Sequence, residues 1–268
     1  MTAAIASNPD ILLIGAGIMS ATVGTLLKEL DPDATIELVE RLEDCGLESS
    51  QAWNNAGTGH AANCEMNYTP ERPDGSIDIA KALEVNVEFD LSRQLWSYLV
   101  RCGTIEDPRS FLHPVPHMSF VHGEANVTFL RKRFAAMSAH HCFRGMEYSE
   151  DRGQIAAWAP LVMDGRTGDD PVAATRIITG TDVDYGALTH HLVNHLRGLP
   201  RFGVHYGQRV VGLAHEPDGR WRVDIKNIAS GGVQSVTAKF VFIGAGGGHC
   251  RCWSGPRCRR RAGMAGSR

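Results

Sequence analysis

The sequence predicts an α/β fold in which a Rossmann-like domain carries an inserted α+β domain. Three observations predict it: a strand, glycine turn and helix near the start; a long excursion of mixed helical and extended patterns; and a return through a helix and short β-type runs to a last strand ending in glycines.

The opening strand, Ile11 to Ile14, meets Gly15, which permits a tight bend. Gly17 then lets the backbone approach a pyrophosphate at the N-terminus of the next helix. Ser20 stands at the third, small position of the glycine fingerprint, and Ala21 and Gly24 extend that small face for helix–strand packing. The strand Thr35 to Glu40 ends in a carboxylate, at the spacing of an acid that accepts ribose hydroxyls and repels a 2′-phosphate. This end of the chain therefore indicates a dinucleotide other than NADP and leaves NAD and FAD open.

Glu43 to His60 reads as a polar loop of small residues ending in Trp53-Asn-Asn-Ala-Gly-Thr-Gly-His60. Ile77 to Arg101 reads as a helix, with Leu83, Val87, Leu91, Leu95 and Leu99 at intervals of four. Phe111 to His122 is extended, and Pro114 and Pro116 mark it as edge or irregular. A helix over Ala125 to Ala139 carries Val127, Leu130, Phe134 and Met137, and Ser149 is placed as the cap of a short helix stopping at Pro160.

Order resumes near Val172. Asp184 caps a helix whose face is Tyr185, Leu188, Leu192 and Leu196, ended by Gly198 and Pro200. Val204–Tyr206, Val210–Ala214, Trp221–Ile225 and Ser235–Ile243 follow as strands, separated by Pro217-Asp-Gly219 and Ser230-Gly-Gly232 turns. A simple NAD domain would continue to alternate strands and helices. The excursion, the β-meander and the final run from Lys239 through Gly244 and Gly246 fit a flavoprotein, with the second glycine turn beside the cofactor. Residues 8–60 and 180–247 are accordingly assigned to a discontinuous FAD-binding domain and 61–179 to the insert.

At 268 residues and 43% hydrophobic, the chain can bury a sizeable core. Its apolar runs are far short of a membrane span, and Met-Thr-Ala-Ala-Ile-Ala-Ser at the start lacks the basic and apolar regions of an export signal. A cytoplasmic location follows as the expectation. Cys45, Cys64, Cys102 and Cys142 are scattered without metal-ligand spacing, which reads as free thiols in a reducing compartment. His140-His141 and His190-His191-x-x-x-His195 lack a supporting carboxylate motif and read as solvated helix histidines, so no metal is expected. The net charge of -3 includes six arginines and no acid after Gly248, leaving about -9 on the remainder. So acidic a body argues against a nucleic-acid partner.

Longer strings carry a more specific signal. Leu13-Ile-Gly-Ala-Gly-Ile-Met-Ser-Ala21, Val39-Glu-Arg-Leu42, Trp53 to His60, Asn67-Tyr-Thr-Pro70, Pro108-Arg-Ser-Phe111, Val115-Pro-His-Met-Ser-Phe-Val121, Trp158-Ala-Pro-Leu-Val-Met163, Gly180-Thr-Asp-Val-Asp-Tyr-Gly186 and Ala238 to Gly247 together resemble malate:quinone oxidoreductases, over roughly Asp10 to Gly247. The resemblance implies an FAD-dependent enzyme, peripheral at the inner face of the cell membrane. It implies oxidation of (S)-malate to oxaloacetate with electrons passed to a quinone. Gly15, Gly17, Ser20 and Glu40 map onto the family's FAD motif, and the resemblance adds Asn54, Asn55, Gly57, Thr58, Gly59, Val210, Gly244 and Gly246 as cofactor contacts. His60 and His117 are candidates for the base, and Arg109 and Arg176 for holding the malate carboxylates.

The resemblance stops at Gly247. The residues after it are rich in Arg, Gly, Cys and Ser without apolar periodicity, which reads as a disordered, frameshifted tail on a C-terminally incomplete chain. On that reading the polypeptide is expected to be inactive. A non-catalytic flavin-binding fragment, and oxidation of another 2-hydroxy acid such as 2-hydroxyglutarate, stand as alternatives.

Overall fold

A computed structural model describes residues 4–246, so the tail read as frameshifted lies outside the described residues. The chain divides into two compact units: residues up to Ala56 with those from Asp184 onward, and Gly57–Val183. The first leg of unit one holds β1 (Ile11–Ile14), α1 (Ile18–Leu30) and β2 (Ile36–Val39). Unit two holds α2 (Ala80–Arg101), β3 (Leu112–Pro114), β4 (His117–His122), α3 (Glu124–Ser138), β5 (Glu147–Ser149), α4 (Arg152–Trp158), α5 (Pro160–Met163), β6 (Val172–Ile177) and β7 (Thr181–Val183). The return leg holds α6 (Tyr185–Gly198), β8 (Phe202–His205), β9 (Gln208–His215), β10 (Trp221–Asn227), β11 (Val233–Ala238) and β12 (Phe240–Ile243).

Unit one is built on a parallel sheet of order β12-β1-β2-β8. Its strands are largely apolar, and the two buried polar exceptions, Glu37 of β2 and His205 of β8, pair with each other. On one side Leu13 points at α1, where a side chain on Gly24 would meet Leu13 at 3.1 Å, Leu196 of α6 at 3.2 Å and Phe202 at 3.4 Å. On the other, Leu12, Ile14 and Val39 form one core with Val210, Val223, Ile225, Val236 and Ala238 of the antiparallel β11-β10-β9 sheet.

The run Ser235–Ile243 read as a single strand is two, in two sheets. Lys239 is the break, because its N–H and that of Phe240 both turn to the Asp10 carbonyl, at 3.1 and 3.0 Å. The Asp10 carboxylate takes the Lys239 ammonium at 2.7 Å and the Thr35 N–H at 2.8 Å, which together hold its pKa below the usual value. One aspartate thus fixes the starts of three neighbouring strands.

Asp184 caps α6 as expected, its Oδ1 accepting the Ala187 N–H at 2.9 Å. Asp184→Ala is expected to lower stability by about 1 kcal/mol in urea denaturation. An unchanged midpoint would show that packing of Leu188, Leu192 and Leu196 alone holds the helix.

In unit two, α2 buries Val85, Phe89, Trp96 and Leu99, whereas Val87 and Leu91 are exposed. The leucine series at intervals of four misleads because each such step drifts about 40° around a helix of 3.6 residues per turn. The 4-7-3 spacing of the buried residues stays on one stripe, with Trp96 edge-on to Phe89 and to Phe111 at 6.0 and 5.5 Å. Ser149 is not a helix cap. It lies in β5 and accepts the Asp151 N–H, and Asp151 caps α4 by accepting from Gln154 N at 2.7 Å. Strands β4-β6-β5 form an antiparallel sheet and β3-β7 a two-stranded one.

Candidate functional site

Unit one gathers Gly15, Gly17, Ser20, Glu40, Gly244 and Gly246 at the carboxyl ends of β1, β2 and β12. Gly15 has φ +94°, and a Cβ there would sit 2.6 Å from the Gly244 carbonyl oxygen, so two glycine turns meet backbone to backbone. Ser20 is fully buried, and any side chain on Gly244 would collide with its hydroxyl. Gly17 is the N-cap of α1 and offers no side-chain cap; instead the buried Ser50 hydroxyl accepts the Ile18 N–H at 2.9 Å. The rest of that first turn is open to an anion favoured by the helix dipole.

Glu40 accepts the Ala16 N–H at 2.7 Å on one oxygen and the Leu42 N–H at 2.8 Å on the other. Each oxygen keeps a second lone pair for a hydroxyl. This donor set fits a dinucleotide: dipole and N–H groups for phosphate, a fixed carboxylate for ribose. Val210 contributes its side chain to the core, which leaves only its backbone for a ligand. Asn54 and Asn55 turn their amides inward, to Glu48 O at 2.9 Å and to Ser49 O and Gln51 O at 3.0 and 2.9 Å, and so set the shape of the loop.

Unit two holds a second polar cluster. Gly57 and Gly59 run against β7, where side chains on them would strike Asp182, Thr181 and Phe89. The run of small residues is thereby required on the protein side. The Thr181 carbonyl accepts both the Gly59 N–H, at 2.8 Å, and His117 Nε2, at 3.0 Å. That bond puts the His117 proton on Nε2 and leaves Nδ1 a buried lone pair without a protein partner. His60 follows Gly59, half exposed, with Nδ1 3.1 Å from Glu65 Oε1.

The two candidate arginines do not join this cluster. Arg109 is exposed, and its guanidinium is held by both oxygens of Asp107 at 3.0 Å each. Arg176 pairs with Met118 across β4-β6, which places it on the sheet face opposite His117, over the Trp158 ring.

Arg133 was hidden in the apolar face assigned to α3. It is fully buried, and its guanidinium donates to Thr69 Oγ1 at 2.9 Å and to the Asn63 and Ala62 carbonyls at 3.2 and 3.4 Å. Burial pushes it down to about 10, still a cation at neutral pH. With Asn86 donating to Ala61 O and Ser119 to Cys64 O, three elements fix the turn that carries His60 and Glu65. The nearby Cys64 thiol is pushed up to about 11, by burial first and by Glu65 second. A thiol raised in the folded state resists ionisation that the unfolded chain undergoes near 9, so its contribution is lost as pH rises from about 9 to 11. Denaturation midpoints across that window should fall less in Cys64→Ala than in the parent; parallel curves would refute the assignment.

A profile of malate:quinone oxidoreductases matches residues 7–266. The chain belongs to the malate:quinone oxidoreductase family. A probable malate:quinone oxidoreductase of Bradyrhizobium diazoefficiens is 71% identical over 248 residues, 92% of this chain and 48% of that one. Another, of Granulibacter bethesdensis, is 67% identical, covering 92% and 50%. The chain therefore spans about half the length of the curated malate:quinone oxidoreductases it matches. Among solved structures, glycine oxidase from Geobacillus kaustophilus superposes with a TM-score of 0.63 at 15% identity, over 89% of this chain and 55% of that one. L-α-glycerophosphate oxidase from Mycoplasma pneumoniae, solved with FAD bound, gives 0.57 at 12% identity, over 88% and 53%. These two share the fold with this member of the malate:quinone oxidoreductase family.

Proposed function

We propose that this chain supplies the FAD-binding portion and part of the substrate portion of an enzyme that oxidises (S)-malate to oxaloacetate and passes the electrons to a quinone. The observation that carries the reading is the meeting of the Gly15 and Gly244 turns beside Glu40, in a chain of this family. FAD supplies the acceptor for the hydride of the malate carbinol carbon and the relay of two electrons to quinone.

The residues of this chain hold and orient. The α1 N-terminus and Gly17 would hold the pyrophosphate, Glu40 would accept the ribose hydroxyls, and the backbone of Gly244 and Gly246 would close the cradle. His60, whose Nδ1 lies 3.1 Å from Glu65 Oε1, is proposed as the base that removes the malate hydroxyl proton, and His117, which bonds the same Thr181 carbonyl as Gly59, as the residue that holds the glycine segment. No described helix is long and apolar enough to cross a membrane. From the family resemblance, contact with the quinone is proposed to be peripheral, at the inner face of the cell membrane.

The test is FAD binding by the purified 268-residue chain, followed by anaerobic addition of (S)-malate or 2-hydroxyglutarate. Bound flavin bleached by malate supports the full reading, and bleaching only by 2-hydroxyglutarate moves the substrate. Bound flavin that neither acid bleaches restricts the chain to flavin binding; no binding overturns the proposal.

A further inference from the structure

The loop after β2 and the helix α6 bring together three side chains that local spacing could not reveal. Cys45 is 1% exposed, yet its Sγ lies 3.2 Å from His190 Nδ1. Asp44 and Tyr206 also lie close enough to influence the thiol's ionisation, although burial dominates and holds it up at about 11. A buried cysteine ordinarily behaves as a small hydrophobe with one weak donor. Here polar groups from two segments far apart in sequence converge on one sulfur. A carboxylate oxygen of Asp44, Cys45 Sγ and a ring nitrogen of His190 all lie within 4.8 Å of one another.

We propose that Asp44, Cys45 and His190 form a binding site for a divalent cation of the zinc class. The donor set is one sulfur, one nitrogen and one oxygen, a combination that tetrahedral zinc accepts and that calcium or magnesium does not favour. The charge matches as well: with the thiol ionised, thiolate and carboxylate together neutralise a dication around a neutral imidazole. Binding replaces the Cys45 thiol proton, which leaves to solvent, and the fourth position falls to a water. Asp44 and His190 are only partly buried, which gives the ion a way in.

The site has a structural consequence. Gly46, next in sequence, lies against α6, where a side chain on it would meet Thr189 at 3.6 Å, and it donates its N–H to the Ala16 carbonyl at 2.9 Å. An ion at Cys45 therefore ties α6 to the glycine turn of the nucleotide site. A second group, His140-His141-Cys142, is local to one turn, and its His140 Nδ1 already accepts the Cys142 N–H at 3.3 Å. It serves as the control.

The test is titration of the purified 268-residue chain with Co(II), followed by displacement with Zn(II). One equivalent of Co(II) should bind with a thiolate-to-cobalt charge-transfer band that Zn(II) abolishes. The band should vanish in Cys45→Ser, weaken at least about tenfold in affinity in Asp44→Asn and His190→Ala, and survive in Cys142→Ser and in the chain with Cys250, Cys252 and Cys258 changed to serine. Circular dichroism checks each variant, and Asp44→Asn, at a partly exposed position, carries the test if Cys45→Ser unfolds. Absence of a thiolate band in the parent, its persistence without Cys45, or its loss with Cys142 or the three later cysteines would each overturn the proposal.

Discussion

Gly15→Ala is expected to lower the stability of unit one by about 3 kcal/mol or more and to abolish FAD retention. Two effects add. An L side chain at φ +94° is disfavoured by about 1–2 kcal/mol. The new Cβ also faces Gly244 O at 2.6 Å, Gly244 C at 3.0 Å and Ala245 Cα at 3.1 Å, all of them backbone, so relief requires prising β12 from β1. Gly17→Ala is the informative partner. Its Cβ would meet only the Ser50 hydroxyl, at 3.2 Å, with an ordinary φ of -86°. Stability should therefore move by less than about 1 kcal/mol, whereas FAD affinity falls because the methyl enters the approach to the phosphates. Urea denaturation with and without FAD measures both. If Gly15→Ala keeps its midpoint, the contact between the two glycine turns is not what holds these strands.

Arg133→Met is expected to cost about 2–4 kcal/mol in unit two. Methionine fills much of the same volume but leaves Thr69 Oγ1 and the carbonyls of Ala62 and Asn63 dry and without donors. Removing a desolvated cation offsets part of that loss, which is why the estimate stays below the sum of three broken bonds. Arg133→Lys should recover little, since one ammonium cannot reproduce the planar fork that reaches two peptide carbonyls and a hydroxyl. Amide exchange at Ala61 to Glu65 should accelerate in both variants, with exchange in β6 less affected. Unchanged stability in Arg133→Met would show that the turn is held by Asn86 and Ser119 alone.

What the sequence disclosed and what it hid follow from the range of the interactions. The β1–turn–α1 unit was legible because strand, glycines and helix are contiguous, so every constraint acts within a few residues. The same holds for Asp184 as a cap and for the Pro217 and Ser230 turns. The face of α2 was misread because leucines attract attention while Phe89, Trp96 and Asn86 do the packing. Arg133 escaped because a charged residue inside an apolar stripe is taken as a surface position, and only the carbonyls of a turn some 70 residues earlier explain its burial. Asp44, Cys45 and His190 escaped for a related reason. Metal-ligand spacing rules describe neighbours in sequence, whereas Cys45 and His190 are 145 residues apart. At the candidate site itself, residue types suggested His60 and His117, but the shared acceptor at Thr181 belongs to a backbone carbonyl, to which side-chain motifs are blind.

The interrupted path of unit one sets an order of assembly. On a ribosome, β1 and β2 emerge first, but their neighbours β12 and β8 are made only after all of Gly57–Val183. The glycine turn at Gly15 therefore waits for Gly244, while the intervening unit has every strand partner it needs within its own span. Long-range parallel pairing of this kind is slow to form and leaves apolar strand edges uncovered in the interval. Any lesion that slows synthesis or removes β12 should thus appear first as chaperone dependence and aggregation of the early strands, before any question of chemistry arises.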